Sequence, residues 1–139
     1  MKKTKLVLGI AAGLLVALLA GWIWGALGKS DAVRSLQTSE LRGELLAARA
    51  SVLDARVAIY STNFGEASSH LDDARGLLGR ANERLNSLGR NDEVTQVQMA
   101  QASIDEAQRM AGRLDQVANT RAGAAAKILA AVVDAEAKR

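Results

Sequence analysis

The 139 residues carry a formal charge of +3 and are 49% hydrophobic, and neither property is spread evenly. Lys2, Lys3 and Lys5 account for the charge: without them the 18 basic side chains fall to the number of acidic ones, 15, so no basic stripe remains to displace counterions from a nucleic acid. Cysteine and proline are absent, which excludes disulfides, thiolate chemistry and cysteine-ligated zinc and removes the strongest helix breaker.

Residues 1–5 form a basic start. From Leu6 to Leu27 no side chain is charged, and a run of that length covers roughly 33 Å as a helix, enough to cross a bilayer core. Residues 6–28 are therefore expected to be a transmembrane anchor, with Trp22 and Trp24 near a membrane interface. Lysines before the run, and only Lys29 and Arg34 soon after it, favour a cytoplasmic N-terminus. That orientation implies a cytoplasmic (inner) membrane location with residues 29–139 periplasmic or otherwise exported. A secretory signal peptide begins in the same way. Continuation of the run through Gly21-Trp22-Ile23-Trp24, and the late small-x-small site Ala26-Leu27-Gly28, favour a retained anchor. Gly9, Gly13, Ala17, Gly21 and Gly25 recur every four residues, a ridge of small side chains that admits a second helix closely.

The exported part reads as three helices, about 31–62, 66–88 and 92–138. Ser30 and Asp31 suit the start of the first. Leu41, Leu45, Ala48, Val52, Ala55 and Ile59 follow a 4-3 spacing, and a second line of Leu46, Leu53, Val57 and Tyr60 runs beside them. Two adjacent lines make a wide apolar face, fitting a helix with two neighbours. Asn63 and Glu66 have capping-box spacing. The second helix carries Ala67, Leu71, Ala74, Leu78, Ala81, Leu85 and Leu88 and ends at Gly89. Asn91 is then expected to cap the third.

That third segment keeps one heptad phase through Ala100, Ile104, Ala107, Ala111, Leu114, Ala118, Ala125, Ile128, Val132 and Ala135, with Arg121 as the polar intruder. The unbroken phase favours one long helix, and a reversal near Asn119–Gly123 is the alternative. Asp105–Arg109 and Asp134–Lys138 are expected i,i+4 pairs. Short loops at 63–65 and 89–91 favour antiparallel packing. The fold expected is thus all-α: an N-terminal transmembrane helix, then an antiparallel helical hairpin or three-helix coiled-coil-like domain. A straight third helix of roughly 70 Å would overshoot a middle helix of roughly 35 Å, leaving an apolar stripe for a protein partner or a homo-oligomer to cover. The expected seam contacts are Leu45, Val52, Ile59, Leu71, Leu78, Leu85, Ile104, Leu114, Ile128 and Val132.

Tyr60-x-x-Asn63-Phe64-Gly65-Glu66-Ala67, followed by Leu71 and Ala74, resembles the turn and second helix of a tetratricopeptide hairpin. The resemblance covers residues 48–78, a single repeat, and implies binding of peptides or other proteins; tandem copies that would build a groove are not present.

Residues that could carry chemistry are few. His70 is the sole histidine, lies beside Asp72 and Asp73, and lacks a second histidine on its face; it reads as a solvent-edge residue and not a metal ligand. Met99 and Met110 form no methionine cluster. No nucleophile elbow or phosphate-binding glycine loop occurs. The expectation is a protein that is not an enzyme, with no cofactor, metal or small-molecule substrate. Its partners would be the membrane and other helices, as a scaffold or accessory subunit of an envelope complex. The alternative is a signal-peptide-processed periplasmic helical chaperone or adaptor built on the tetratricopeptide-like hairpin.

Overall fold

The structure, a computed structural model, describes residues 32–138. The expected anchor, 6–28, lies outside them. No described helix is long and apolar enough to cross a membrane. The chain divides into two units, Met1–Thr38 and Ser39–Arg139. Of the first, the described residues are helical, with Thr38 Oγ1 donating to the Arg34 carbonyl at 2.9 Å.

The second unit is all-α: four helices and no strand among the described residues. They are α1 (residues 39–60), α2 (Phe64–Ser87), α3 (Asn91–Ala111) and α4 (Val117–Ala137). Polar contacts join α1 to α2, α2 to α3, α3 to α4 and α4 back to α1, and all but the mid-helix Arg75–Asp105 pair link the start of one helix to the end of its neighbour. The result is an antiparallel four-helix bundle, not the three-helix arrangement expected. The long third helix is two helices, so the overshoot disappears and the apolar stripe of the second half is buried within its own chain.

The reason is backbone chemistry at three turns. Thr62, Gly89 and Leu114 have positive φ, at 60°, 70° and 57°. Each follows a helix whose end is closed by a backbone bond reaching back five residues: Asn63 N–H to the Ala58 carbonyl at 2.8 Å, Arg90 to Leu85 at 3.0 Å and Asp115 to Met110 at 3.0 Å. This is the Schellman arrangement, with a left-handed residue at the turn. Glycine takes that conformation freely, whereas leucine and threonine meet a steric cost. Asp115 Oδ1 then accepts the N–H of Val117, the first residue of α4, at 2.9 Å. The break thus comes at 112–116, before the Asn119–Gly123 alternative.

Leu114, expected in a seam, is 70% exposed in this turn. Leu114→Gly should raise stability by about 0.5–1 kcal/mol, because roughly 1–2 kcal/mol of left-handed strain is relieved while glycine's extra unfolded freedom offsets only part of it. A Tm increase of roughly 3–6 °C in thermal unfolding would check this; an unchanged or lower Tm would mean the turn is not strained.

The other turns bear on the sequence reading in detail. Asn63 Oδ1 accepts the Glu66 N–H at 3.3 Å, and Asn63 Nδ2 donates to Glu66 Oε2 at 2.6 Å, tying down the start of α2. Asn91 does not cap: α3 begins at Asn91 itself, behind Arg90, with no side-chain cap bond. Asp92 and Glu93 place negative charge in its first turn, where the helix dipole favours it.

The core is built from small residues with a few large ones between them. Leu41, Leu45, Val52 and Ile59 of α1, Leu71, Leu78 and Leu85 of α2, Val97 and Ile104 of α3, and Leu129 and Val132 of α4 are fully buried. Alanines fill the intervening layers, which lets the helices approach closely. In α4 the buried line is Ala118, Ala122, Ala125, Leu129, Val132 and Glu136. It is displaced by one residue at alternate steps from the expected line, so Ile128 is only partly buried and Arg121 faces out.

Candidate interaction surfaces

Three of the four grooves between neighbouring helices are laced by opposite charges. Between α1 and α2, Glu44 meets Arg80 at 3.3 Å and Arg84 at 3.0 Å, and Arg84 also reaches Glu40 at 2.6 Å. The hydrogen bond that Arg84 Nε donates to the Glu44 carboxylate is the leading cause that raises the Arg84 pKa above its ordinary value. Between α2 and α3, Arg75 Nε lies 2.8 Å from Asp105 Oδ1, and Gln108 Nε2 donates to Asp72 Oδ1 at 2.7 Å. Asp105 is therefore engaged across the groove by Arg75, not along its own helix by Arg109. Between α3 and α4, Arg121 lies 3.3 Å from Glu106. Arg121, the intruder of the sequence pattern, is thus a groove residue. Farther along the same groove Arg90 pairs with Glu136, whose side chain is 1% exposed. The exposed pairs contribute little each; the buried one is a different matter, taken up in the Discussion.

The fourth groove, α1 against α4, differs. Arg56 Nε donates to Asn119 Oδ1 at 2.8 Å and Gln116 Nε2 to the Ile59 carbonyl at 3.1 Å, but no ion pair crosses it among the described residues. It is lined by Arg49, Arg56 and Lys127 beside Leu53, Gly123 and Ala130. The Nε of Arg49 is buried without a hydrogen-bond partner, which makes it a donor in search of an acceptor.

The expected site residues fall into three groups. Gly9, Gly13, Ala17, Gly21 and Gly25 lie outside the described residues. Leu45, Val52, Ile59, Leu71, Leu78, Leu85, Ile104 and Val132 are buried in the bundle's own core, with Ile128 partly so. These side chains are consumed within the chain and present nothing to a partner. Leu114 stands exposed in the third turn and belongs to no seam. Missing from the expected set were Leu41, Val97 and Leu129, all fully buried; the continuous-helix phase placed Leu129 one residue off the seam.

The second line of α1 is where apolar surface remains. Leu46 is 43% exposed, Leu53 38%, Val57 66% and Tyr60 83%. Large exposed side chains in register along one helix differ from scattered ones, because together they form a patch.

His70 sits beside Glu66, 3.8 Å from Nε2 to Oε1, in a shallow depression with Asp54 and Ser61. Among the described residues no cluster of three or more histidine, aspartate or glutamate side chains could hold a metal ion. The segment 48–78 that resembles a tetratricopeptide hairpin does turn at 61–63 as two packed helices, and α3 and α4 close it into a bundle. No family model, no curated protein and no solved structure matches the chain.

Proposed function

We propose that the chain is a membrane-anchored, non-catalytic helical scaffold or small accessory subunit of a cell-envelope membrane complex, working through helix–helix contacts. The observation that carries this reading is the double apolar face of α1. One line is buried in the bundle and the other is left on the surface, as expected of a helix whose second neighbour comes from another molecule. The lysine-led, charge-free run of 6–27 and its small-residue ridge support the anchor and a contact within the membrane.

The test is to extract the native assembly gently from its own membranes and measure its size, its composition and the intact mass of this chain. A full-length chain in a defined assembly supports the proposal. A shortened chain in the soluble fraction overturns the anchor and favours the processed adaptor. Gly13→Leu and Gly21→Leu should each reduce the fraction of assembled chain several-fold while membrane insertion persists. An unchanged assembly in both variants removes the ridge from the interface.

A further inference from the structure

We infer that the exposed line of α1 is a parallel coiled-coil seam for a second copy of this chain. The line is longer than its four large residues. Ser39, Gly43, Leu46, Ala50, Leu53, Val57 and Tyr60 follow an unbroken 4-3 spacing, and every one of them is exposed. That is the heptad repeat of a two-stranded seam, offset from the buried line of Leu41, Leu45, Ala48, Val52, Ala55 and Ile59. Written as a heptad, Gly43, Ala50 and Val57 hold the a positions, and Ser39, Leu46, Leu53 and Tyr60 the d positions. Leucine at consecutive d positions and small or β-branched residues at a suit a close two-helix contact. An alanine-sized side chain at Gly43 would meet nothing within 4 Å in the single chain.

The flanking charges choose both the partner and its direction. The positions preceding a are Arg42, Arg49 and Arg56, all basic; those following d include Glu40 and Asp54, both acidic. The basic flank faces the α4 side, where Arg49 and Arg56 line the groove, and the acidic flank faces the α2 side, where Asp54 lies near Glu66. In an antiparallel pair each flank meets its own kind, arginine on arginine and carboxylate on carboxylate. In a parallel pair Arg49 falls opposite Asp54 of the second copy, five residues on, on both sides of the seam, whereas Arg42 and Arg56 fall opposite the uncharged Ala47 and Ser61. Arg49 and Asp54 have no ion-pair partner among the described residues, whereas Glu40 is held by Arg84 of its own chain, so it is the Arg49 and Asp54 charges that are free for that use. A self-complementary surface with a two-fold axis along α1 satisfies both copies at once. The inference rests on the helix-contact part of the proposed function and not on the anchor.

The absence of cysteine makes a direct test clean. Leu46→Cys, Leu53→Cys and Tyr60→Cys are introduced singly into the full-length chain, with Met99→Cys on the exposed face of α3 as the control, and cell membranes and soluble fraction are oxidised with copper phenanthroline. In a parallel seam like positions face each other within disulfide reach. All three variants should therefore form self-linked dimers at least about ten-fold above the control, although the outer two lie roughly 21 Å apart along the helix. Leu46→Cys linking to Tyr60→Cys only when the two are co-expressed would mean an antiparallel contact and overturn the inference. So would linkage no greater than the control. Arg49→Asp should lower Leu53→Cys linkage several-fold, and adding Asp54→Arg in the same chain should restore it; a rise with Arg49→Asp alone would also overturn it. The fraction in which the chain is found reports separately on the anchor. Linked dimers in the soluble fraction would refute the membrane reading and keep the pairing, whereas a membrane-bound chain that does not link would refute the pairing alone.

Discussion

Replacing Arg90 with alanine is expected to cost about 3–5 kcal/mol, one of the largest effects of any single substitution in this chain. Glu136 is enclosed at the α3–α4 contact, its side chain 1% exposed and that of Arg90 15%. One carboxylate oxygen is held by the Arg90 guanidinium, and the other, Oε2, has no hydrogen-bond partner among the described residues. Removing the arginine leaves a carboxylate desolvated with little to compensate it, and that loss exceeds the modest net worth of the pair itself. The control is the double variant Arg90→Met, Glu136→Met. It removes both charges and fills similar volume, so it should recover most of the lost stability and can exceed the wild type. Denaturant unfolding followed by far-ultraviolet circular dichroism, at unchanged slope, measures both. A loss under about 1 kcal/mol for Arg90→Ala would mean that water reaches Glu136 and that the pair is a surface one.

Glu136 also shows where the sequence was legible and where it was not. The periodic positions of α1, α2 and α3 were readable because their leucines, valines and isoleucines repeat at helical spacing and their turns carry an Asn-x-x-Glu cap and a glycine. The third turn carries no such mark. Its left-handed residue is Leu114, a side chain that ordinarily argues for continued helix, and the heptad phase runs across it by coincidence of small residues. Once α4 is taken to be continuous with α3, its buried line is drawn through Arg121 and Ile128. Taken as a separate helix, it runs through Ala122 and Leu129 and ends on Glu136. The sequence then presents a carboxylate in the core in place of an arginine, and only the tertiary structure brings Arg90 to meet it. Asp115, a good capping residue just past Gly112 and Arg113, was the signal available for the break.

The same logic explains why the second line on α1 was visible as a pattern but not as a surface. An apolar line predicts that something covers it, not what. In a three-helix arrangement with an overshooting third helix, both lines of α1 would have been used inside the chain and the unburied stripe would have been on the third helix. The reversal at 112–116 exchanges these roles: α4 folds back to bury its own stripe, and the unpartnered face is left on α1.

Leu78→Ala tests that division of labour. Leu78 is fully buried near the middle of α2, in a core of which half the residues are alanine. Few large side chains therefore supply most of the apolar burial, and the close-packed backbones around them have little freedom to collapse into a void. A loss of about 3 kcal/mol is expected, from the transfer of the missing methyl groups and the cavity left behind. Against the roughly 5–15 kcal/mol typical of a whole domain, that shifts the folding equilibrium about 100-fold and lowers Tm by roughly 12–24 °C. Leu78→Met, which keeps the volume, should cost less than about 1.5 kcal/mol. Leu53→Ala, the same chemical change on the outer line of α1, should stay within about 0.5 kcal/mol in the isolated chain, because its side chain already meets solvent. Yet it should reduce pairing between copies, where Leu78→Ala, measured under conditions in which it remains folded, should not. Equal losses of stability at the two positions would mean that α1 is covered on both sides within one chain, and the outer line would no longer be a surface.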